Sequence, residues 1–248
     1  FYSRFKHKIF LILCYMGKIK TEPYVHALGK LPDKLQSELA ESWPDKNEVL
    51  RGRNGDNVLF QYQAKDSLRE NYLKPIWREF IEYHTSREFF DELFAWCPNF
   101  DEKIKQLLRF QYPTRKTGVR FVDKTPIQME SQFAIDTPVI KNFVVKPMHL
   151  DSPTEFYKFL LRFPSNGYDP GGVLEIGKWK IGRKMRFIKN TKFFSDKNAF
   201  DVVATIPNTG IIFFLNGPNA LHGVGKRSPN GLYRRYFNIV GETNIRVF

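Results

Sequence analysis

Along the first hundred positions, apolar residues recur at helical spacing. Leu31, Leu35 and Leu39 share a face, and Pro32-Asp33 marks where that helix begins. Ser67 is placed to cap a segment carrying Leu68, Tyr72 and Leu73, which Pro75 either interrupts or hands on to the next helix. Trp77, Phe80, Ile81 and His84 form a second stripe. Thr85-Ser86-Arg87-Glu88 resembles a capping box ahead of Phe89, Phe90, Leu93, Phe94 and Trp96. One-sided aromatic stripes of this kind predict helices laid on a sheet rather than a ligand pocket.

Past about residue 118 the pattern shortens to strand-like runs separated by Pro, Gly, Asn and Asp. Strands are predicted near 128–135, 139–145, 156–163, 173–179, 186–188, 201–206, 210–215 and 232–240. Asp136-Thr137-Pro138, the stretch 165–172, Pro207-Asn208-Thr209 and Ser228-Pro229-Asn230-Gly231 supply the turns. Short strands with no helices between them predict antiparallel β, either a sandwich or a jelly roll. No repeat or low-complexity linker interrupts the chain. The expected architecture is therefore mainly β with outer helices (α+β), a single domain over 1–248. Residues 1–117 would form a largely helical support and 118–248 the core.

Composition changes this picture little. The 248 residues are 42% hydrophobic and 16% aromatic, and 24 Phe predict a core filled with rings. Cys14 and Cys97 are too few for a disulfide framework and read as reduced thiols of a cytoplasmic protein. Lys6-His7-Lys8 followed by the apolar run 9–17 mimics a signal peptide, but no small-residue cleavage site follows. The run also falls far short of the roughly 20 residues a membrane span needs. Whether the N-terminus is complete stays open, since the chain begins at Phe1. Net charge is +13, from 39 Lys plus Arg against 26 Asp plus Glu. That admits nucleic acid, anionic lipid or acidic metabolites as partners, yet no block of like charge stands out. A solvated surface is the favoured reading, and nucleic acid stays open only as a substrate class.

The candidate chemistry lies in His149-Leu150-Asp151 and in His222. In an extended segment, positions i and i+2 point to one side, so an imidazole and a carboxylate converge while Leu150 anchors the segment. Ser152-Pro153 then ends the strand. His222 follows the apolar run 210–215 and the turn Asn216-Gly217-Pro218-Asn219, and Gly223 beside it permits close backbone approach. Two imidazoles and one carboxylate hold Fe(II) on one face and leave the opposite positions open for a co-substrate and O2. The strand 232–240 alternates, with Tyr233, Arg235, Phe237 and Ile239 on its more apolar face. If that face lines the interior, Arg235 points inward and needs an anionic partner, and Arg234 points out. A bulge would reverse the two. Of the five His, His7, His26 and His84 are taken as surface or core residues.

These pieces resemble a known family. His149-Leu150-Asp151, Gly171-Gly172-Val173-Leu174-Glu175-Ile176, Leu221-His222-Gly223-Val224 and Arg235-Tyr236 make the C-terminal half, about 125–245, similar to the 2-oxoglutarate- and Fe(II)-dependent dioxygenases. The likeness is to uncharacterised bacterial and phage oxygenases of that superfamily. It implies a double-stranded β-helix of the jelly-roll, cupin-like type, with a Gly-Gly segment opening a core strand and the N-terminal part as outer support only. It also implies His149, Asp151 and His222 as iron ligands, and Arg235, or less favoured Arg234, as holder of the far carboxylate of 2-oxoglutarate. Gln132, Asn142 and Asn238 are further candidate contacts to the co-substrate. O2 would be consumed, succinate and CO2 released, and the substrate, a small molecule or a modified polymer, hydroxylated by default. Demethylation, desaturation and ring closure are the other outcomes.

Lys178-Trp179-Lys180 and Arg183-Lys184-Met185-Arg186 either attract an anionic substrate or form a solvated hairpin, and the loops 164–172 and 191–199 are candidate lids. Two rival readings remain, beside a pseudoenzyme, which the intact triad argues against. A metal-dependent cupin-type enzyme without 2-oxoglutarate would have no use for Arg235. A non-catalytic carbohydrate- or nucleic-acid-binding jelly roll would make the triad accidental.

Overall fold

The structure is a computed structural model that describes residues 13, 15–50, 55–56, 58–69, 73–97, 117–141, 143–163, 171–180, 199–206, 210–229, 231–244 and 246–247. Five helices are described: α1 (Asp33–Glu41), α2 (Lys46–Leu50), α3 (Ala64–Ser67), α4 (Pro75–His84) and α5 (Arg87–Trp96). Pro75 sits at the first turn of α4, where its missing N–H costs nothing. The cap of α5 is Ser86, whose hydroxyl accepts the Phe89 N–H at 3.2 Å. Thr85, the first residue of the expected capping box, instead donates to the Ile81 carbonyl and closes α4. Ser67 likewise donates to the Ala64 carbonyl and ends α3 rather than opening a helix.

The strands are β1 (His26–Gly29), β2 (Leu59–Gln63), β3 (Thr117–Val119), β4 (Ile127–Asp136), β5 (Phe143–His149), β6 (Glu155–Phe163), β7 (Leu174–Trp179), β8 (Phe200–Ile206), β9 (Gly210–Leu215), β10 (His222–Arg227) and β11 (Arg234–Thr243). A seven-stranded sheet runs β1-β9-β6-β11-β4-β2 with β3 added parallel to β4, and a four-stranded sheet runs β5-β10-β7-β8. The eight strands β4 to β11 give the order β4-β11-β6-β9 facing β5-β10-β7-β8. That interleaving is a double-stranded β-helix, the jelly roll expected from the turn spacing.

Three departures from expectation have local causes. The second core strand begins at Phe143 rather than 139, because the loop before it is tied down where Asp56 Oδ1 accepts the Ile140 N–H at 2.8 Å. It also runs on through Pro147, which β5 tolerates as the edge of its sheet. The N-terminal part is not only helical, since β1 and β2 extend both edges of the large sheet. The run 186–188 lies outside the described residues. No helix among the described residues is long and apolar enough to cross a membrane.

Alternation divides most apolar residues between two cores, with Met148, Leu150 and Leu221 in a small third cluster. Phe133, Phe159, Phe163, Phe213 and Phe237 face away from the small sheet and pack under the helices with Trp43, Trp77, Phe80 and Phe89. Between the sheets lies a smaller cluster of Leu160, Leu174, Ile176, Ile206, Ile212, Phe214 and Val224, joined by Tyr24. The second layer is the interior of the barrel, and it carries most of the buried polar groups described next.

Candidate metal centre

His149 closes β5 and His222 opens β10, and the two are register partners across that pair. Their rings lie 4.3 Å apart. Gly223 lets the strands approach this closely, because a Cβ there would meet the Met148 N at 3.1 Å and the Lys146 O at 3.2 Å. Asp151 arrives from just beyond the end of β5. One ligand atom from each of His149, Asp151 and His222 lies within 4.8 Å of the other two, and all three residues are held inside the fold.

Hydrogen bonds orient both imidazoles alike. His149 Nδ1 lies 2.9 Å from the Pro147 carbonyl, and His222 Nδ1 lies 2.9 Å from the Ala220 carbonyl. A carbonyl acceptor assigns the proton to Nδ1, so each Nε2 carries the lone pair. Those Nε2 atoms face Asp151, at 3.6 Å for His149 to Oδ1 and 3.3 Å for His222 to Oδ2. Burial, with the His222 ring beside it, pushes His149 down to about 3, which keeps it a neutral donor. Burial alone would raise Asp151. The Lys158 ammonium overcomes it and holds the carboxyl well below the usual carboxylate range. Lys158 Nζ lies 2.6 Å from Asp151 Oδ2 and 3.1 Å from Glu155 Oε2. Two imidazoles oriented through Nδ1 and one ionised carboxylate, each braced by an outer hydrogen bond, fit a divalent iron site.

Sequence reasoning missed three residues of the interior. Lys158 and Arg162 occupy the same face of β6 as Leu160, and a cation in so apolar a strand was a legible signal. Tyr24 comes from the segment before β1 and carried no signal of its own. Its ring meets Phe214 edge-on at 6.3 Å, and Phe214 in turn packs on His222 at 4.7 Å. His26 is buried near Tyr24 and His84 is fully buried in α4, as core histidines; His7 lies outside the described residues.

The arginine pair reverses the expected split. The face of β11 bearing Phe237 and Ile239 turns to the helices, and Arg235 lies over the Trp43 ring at 5.7 Å. Arg234 faces the interior instead. Its Nε donates to Asp136 Oδ2 at 2.7 Å, and its Nη1 donates to the Gly172 carbonyl at 2.8 Å. Gly172 has φ +75°, and a Cβ there would lie 2.8 Å from Arg234 Nη1, which accounts for glycine ahead of β7. Gln132 and Asn238 are partners across β4 and β11 and both are buried, while Asn142 lies outside the described residues. Lys178 and Lys180 pair with Glu22 and Asp201 at the surface. The run 183–186 and most of both candidate lids lie outside the described residues.

No protein-family model matches the sequence, and no curated protein does. Solved structures do. A prolyl 4-hydroxylase from Phytophthora capsici is 13% identical at a TM-score of 0.51, over 98% of this chain and 66% of that one. A Trichoplax adhaerens prolyl hydroxylase, solved with a hypoxia-inducible-factor peptide, is 9% identical at 0.46 over 98% and 92%. The epimerase SnoN, solved with Fe3+, α-ketoglutarate and nogalamycin RO, is 10% identical at 0.48 over 98% and 85%. This chain thus spans about two thirds of the Phytophthora protein. With its strand order, that match gives the chain a double-stranded β-helix fold shared with this prolyl 4-hydroxylase.

Proposed function

We propose that this chain is a 2-oxoglutarate- and Fe(II)-dependent oxygenase that uses O2 to hydroxylate its substrate, releasing succinate and CO2. The observation that carries the reading is the convergence of His149, Asp151 and His222 with both Nε2 atoms turned to one carboxylate. These three side chains hold the metal. Bound there, iron supplies the coupling of 2-oxoglutarate decarboxylation to oxidation of a substrate C–H bond. Lys158 keeps Asp151 ionised by meeting Oδ2 at 2.6 Å, and Lys146 stands 3.8 Å from Oδ1.

The far carboxylate of 2-oxoglutarate falls to the interior face of the large sheet rather than to Arg235. Arg234 faces that way, but its charge is met by Asp136. Arg162 lies on the interior face of β6, register partner of Tyr236, and its planar fork suits a carboxylate. Gln132 and Asn238 line the same side. The substrate is a small molecule or the side chain of a polymer. Dispersed surface charge disfavours nucleic acid, and the buried Cys97 thiol fits a cytoplasmic setting.

Metal-stripped protein given Fe(II) and 2-oxoglutarate without oxygen should develop a weak visible charge-transfer band, absent from Asp151→Ala. Iron binding without that band would favour the cupin-type enzyme. Failure to bind iron at all would sink the oxygenase reading.

A further inference from the structure

We propose that Tyr24 donates a hydrogen bond to the metal-chelating end of the co-substrate, so that a residue from outside the jelly roll completes the site. The inference rests on the oxygenase reading above. Its starting point is an unexplained atom, since the Tyr24 hydroxyl is buried and has no hydrogen-bond partner among the described residues. Buried hydroxyls are normally satisfied, and beside a metal site the missing acceptor comes from a bound ligand or a water.

The fold fixes this phenol in place. The Lys20 N–H donates to the His26 carbonyl at 2.8 Å, and the His26 N–H donates to the Lys20 carbonyl at 2.9 Å, closing the turn that presents Tyr24. The Leu215 N–H donates to the Val25 carbonyl at 3.0 Å, and β1 then pairs with β9 so that His26 stands opposite Phe214. The ring is thereby locked into the interior cluster against Phe214, the same residue that packs on His222. Burial, reinforced by the charge of Asp151, raises the phenol well above its ordinary range, so it stays a donor. Asp151 is engaged by Lys158 at Oδ2 and approached by Lys146 at Oδ1. The acceptor is therefore an anionic or carbonyl oxygen brought by the ligand, and 2-oxoglutarate presents both where it chelates.

Tyr24→Phe removes only the hydroxyl. In anaerobic titrations of Fe(II)-loaded protein, the variant should bind 2-oxoglutarate about tenfold more weakly, the effect of one hydrogen bond to a charged group. Its charge-transfer band should move to shorter wavelength, because the co-substrate carbonyl loses a donor. Mn(II) affinity without co-substrate, and the melting temperature, should match the parent. Parent-like 2-oxoglutarate affinity would overturn the inference, with the hydroxyl satisfied by water instead. An equal loss of metal and co-substrate affinity would also overturn it, making Tyr24 a packing residue. If the parent itself gives no band, the oxygenase reading has failed and this inference falls with it.

Discussion

Asp151 serves two partners at once, and its removal should be felt in the fold as well as at the metal. Its carboxylate is the nearer of two that neutralise the buried ammonium of Lys158, with Glu155 the other. A buried charge that loses a partner is costly, so Asp151→Ala should lower the stability of metal-free protein by about 2 kcal/mol. Adding Lys158→Met removes the stranded charge and should restore most of that loss. Thermal unfolding of the single and double variants measures the coupling, and additive losses would show that the pair carries no such linkage. At this scale the triad was legible in the sequence because His149 and Asp151 share a strand end and His222 opens another strand between turns. Lys158 and Tyr24 were not placed. Their roles depend on which strands become neighbours across the barrel, and spacing along the chain does not carry that.

At the scale of single elements, β11 shows what alternation can and cannot decide. It correctly groups Arg235 with Phe237 and Ile239, and Arg234 with Tyr236 and Asn238. Alternation is silent on which group faces which layer. The more apolar face went to the helices because they cover it with Trp77 and Phe80, whereas the barrel interior has to keep polar groups for ligands. The consequence is testable in one titration series. Arg235→Met should leave 2-oxoglutarate affinity within about twofold and lose only its contact with Trp43, worth about 0.5–1 kcal/mol at such a site. Arg162→Met should weaken 2-oxoglutarate binding more than about tenfold with metal affinity intact, as expected for a lost charge-assisted pair. The reverse ranking would return the co-substrate role to β11. Core strands such as β6 and β9 were read nearly to the residue, since turn residues bound them closely. β1 and β2 were overlooked because each is a short edge strand set among helical periodicities.

Across the whole molecule, two titrating groups, His84 and Glu130, pull stability in opposite directions. His84 sits in the helix–sheet core between Phe80 and Phe89, and burial pushes it down to about 3. An unfolded chain takes up that proton near pH 6.5, so this contribution is complete above 6.5 and drains away as pH falls toward 3. Glu130 is buried on β4 with one oxygen accepting the Ala64 and Ser131 N–H groups, and burial raises it to about 7. The folded state holds its proton where the unfolded chain releases it, so this contribution is complete below 4.5 and is lost as pH rises toward 7. Each slope is about 1.4 kcal/mol per pH unit, and between pH 4.5 and 6.5 these two oppose one another. In metal-free protein His149, also pushed down to about 3 by burial, adds a second slope on the acid side. Read as differences from the parent, His84→Phe should remove one acid-side slope between pH 3 and 6.5, and Glu130→Gln should remove the decline between 4.5 and 7. Denaturant unfolding at half-unit pH steps resolves both. Parent-like pH profiles in either variant would place the pH response of the fold in other groups.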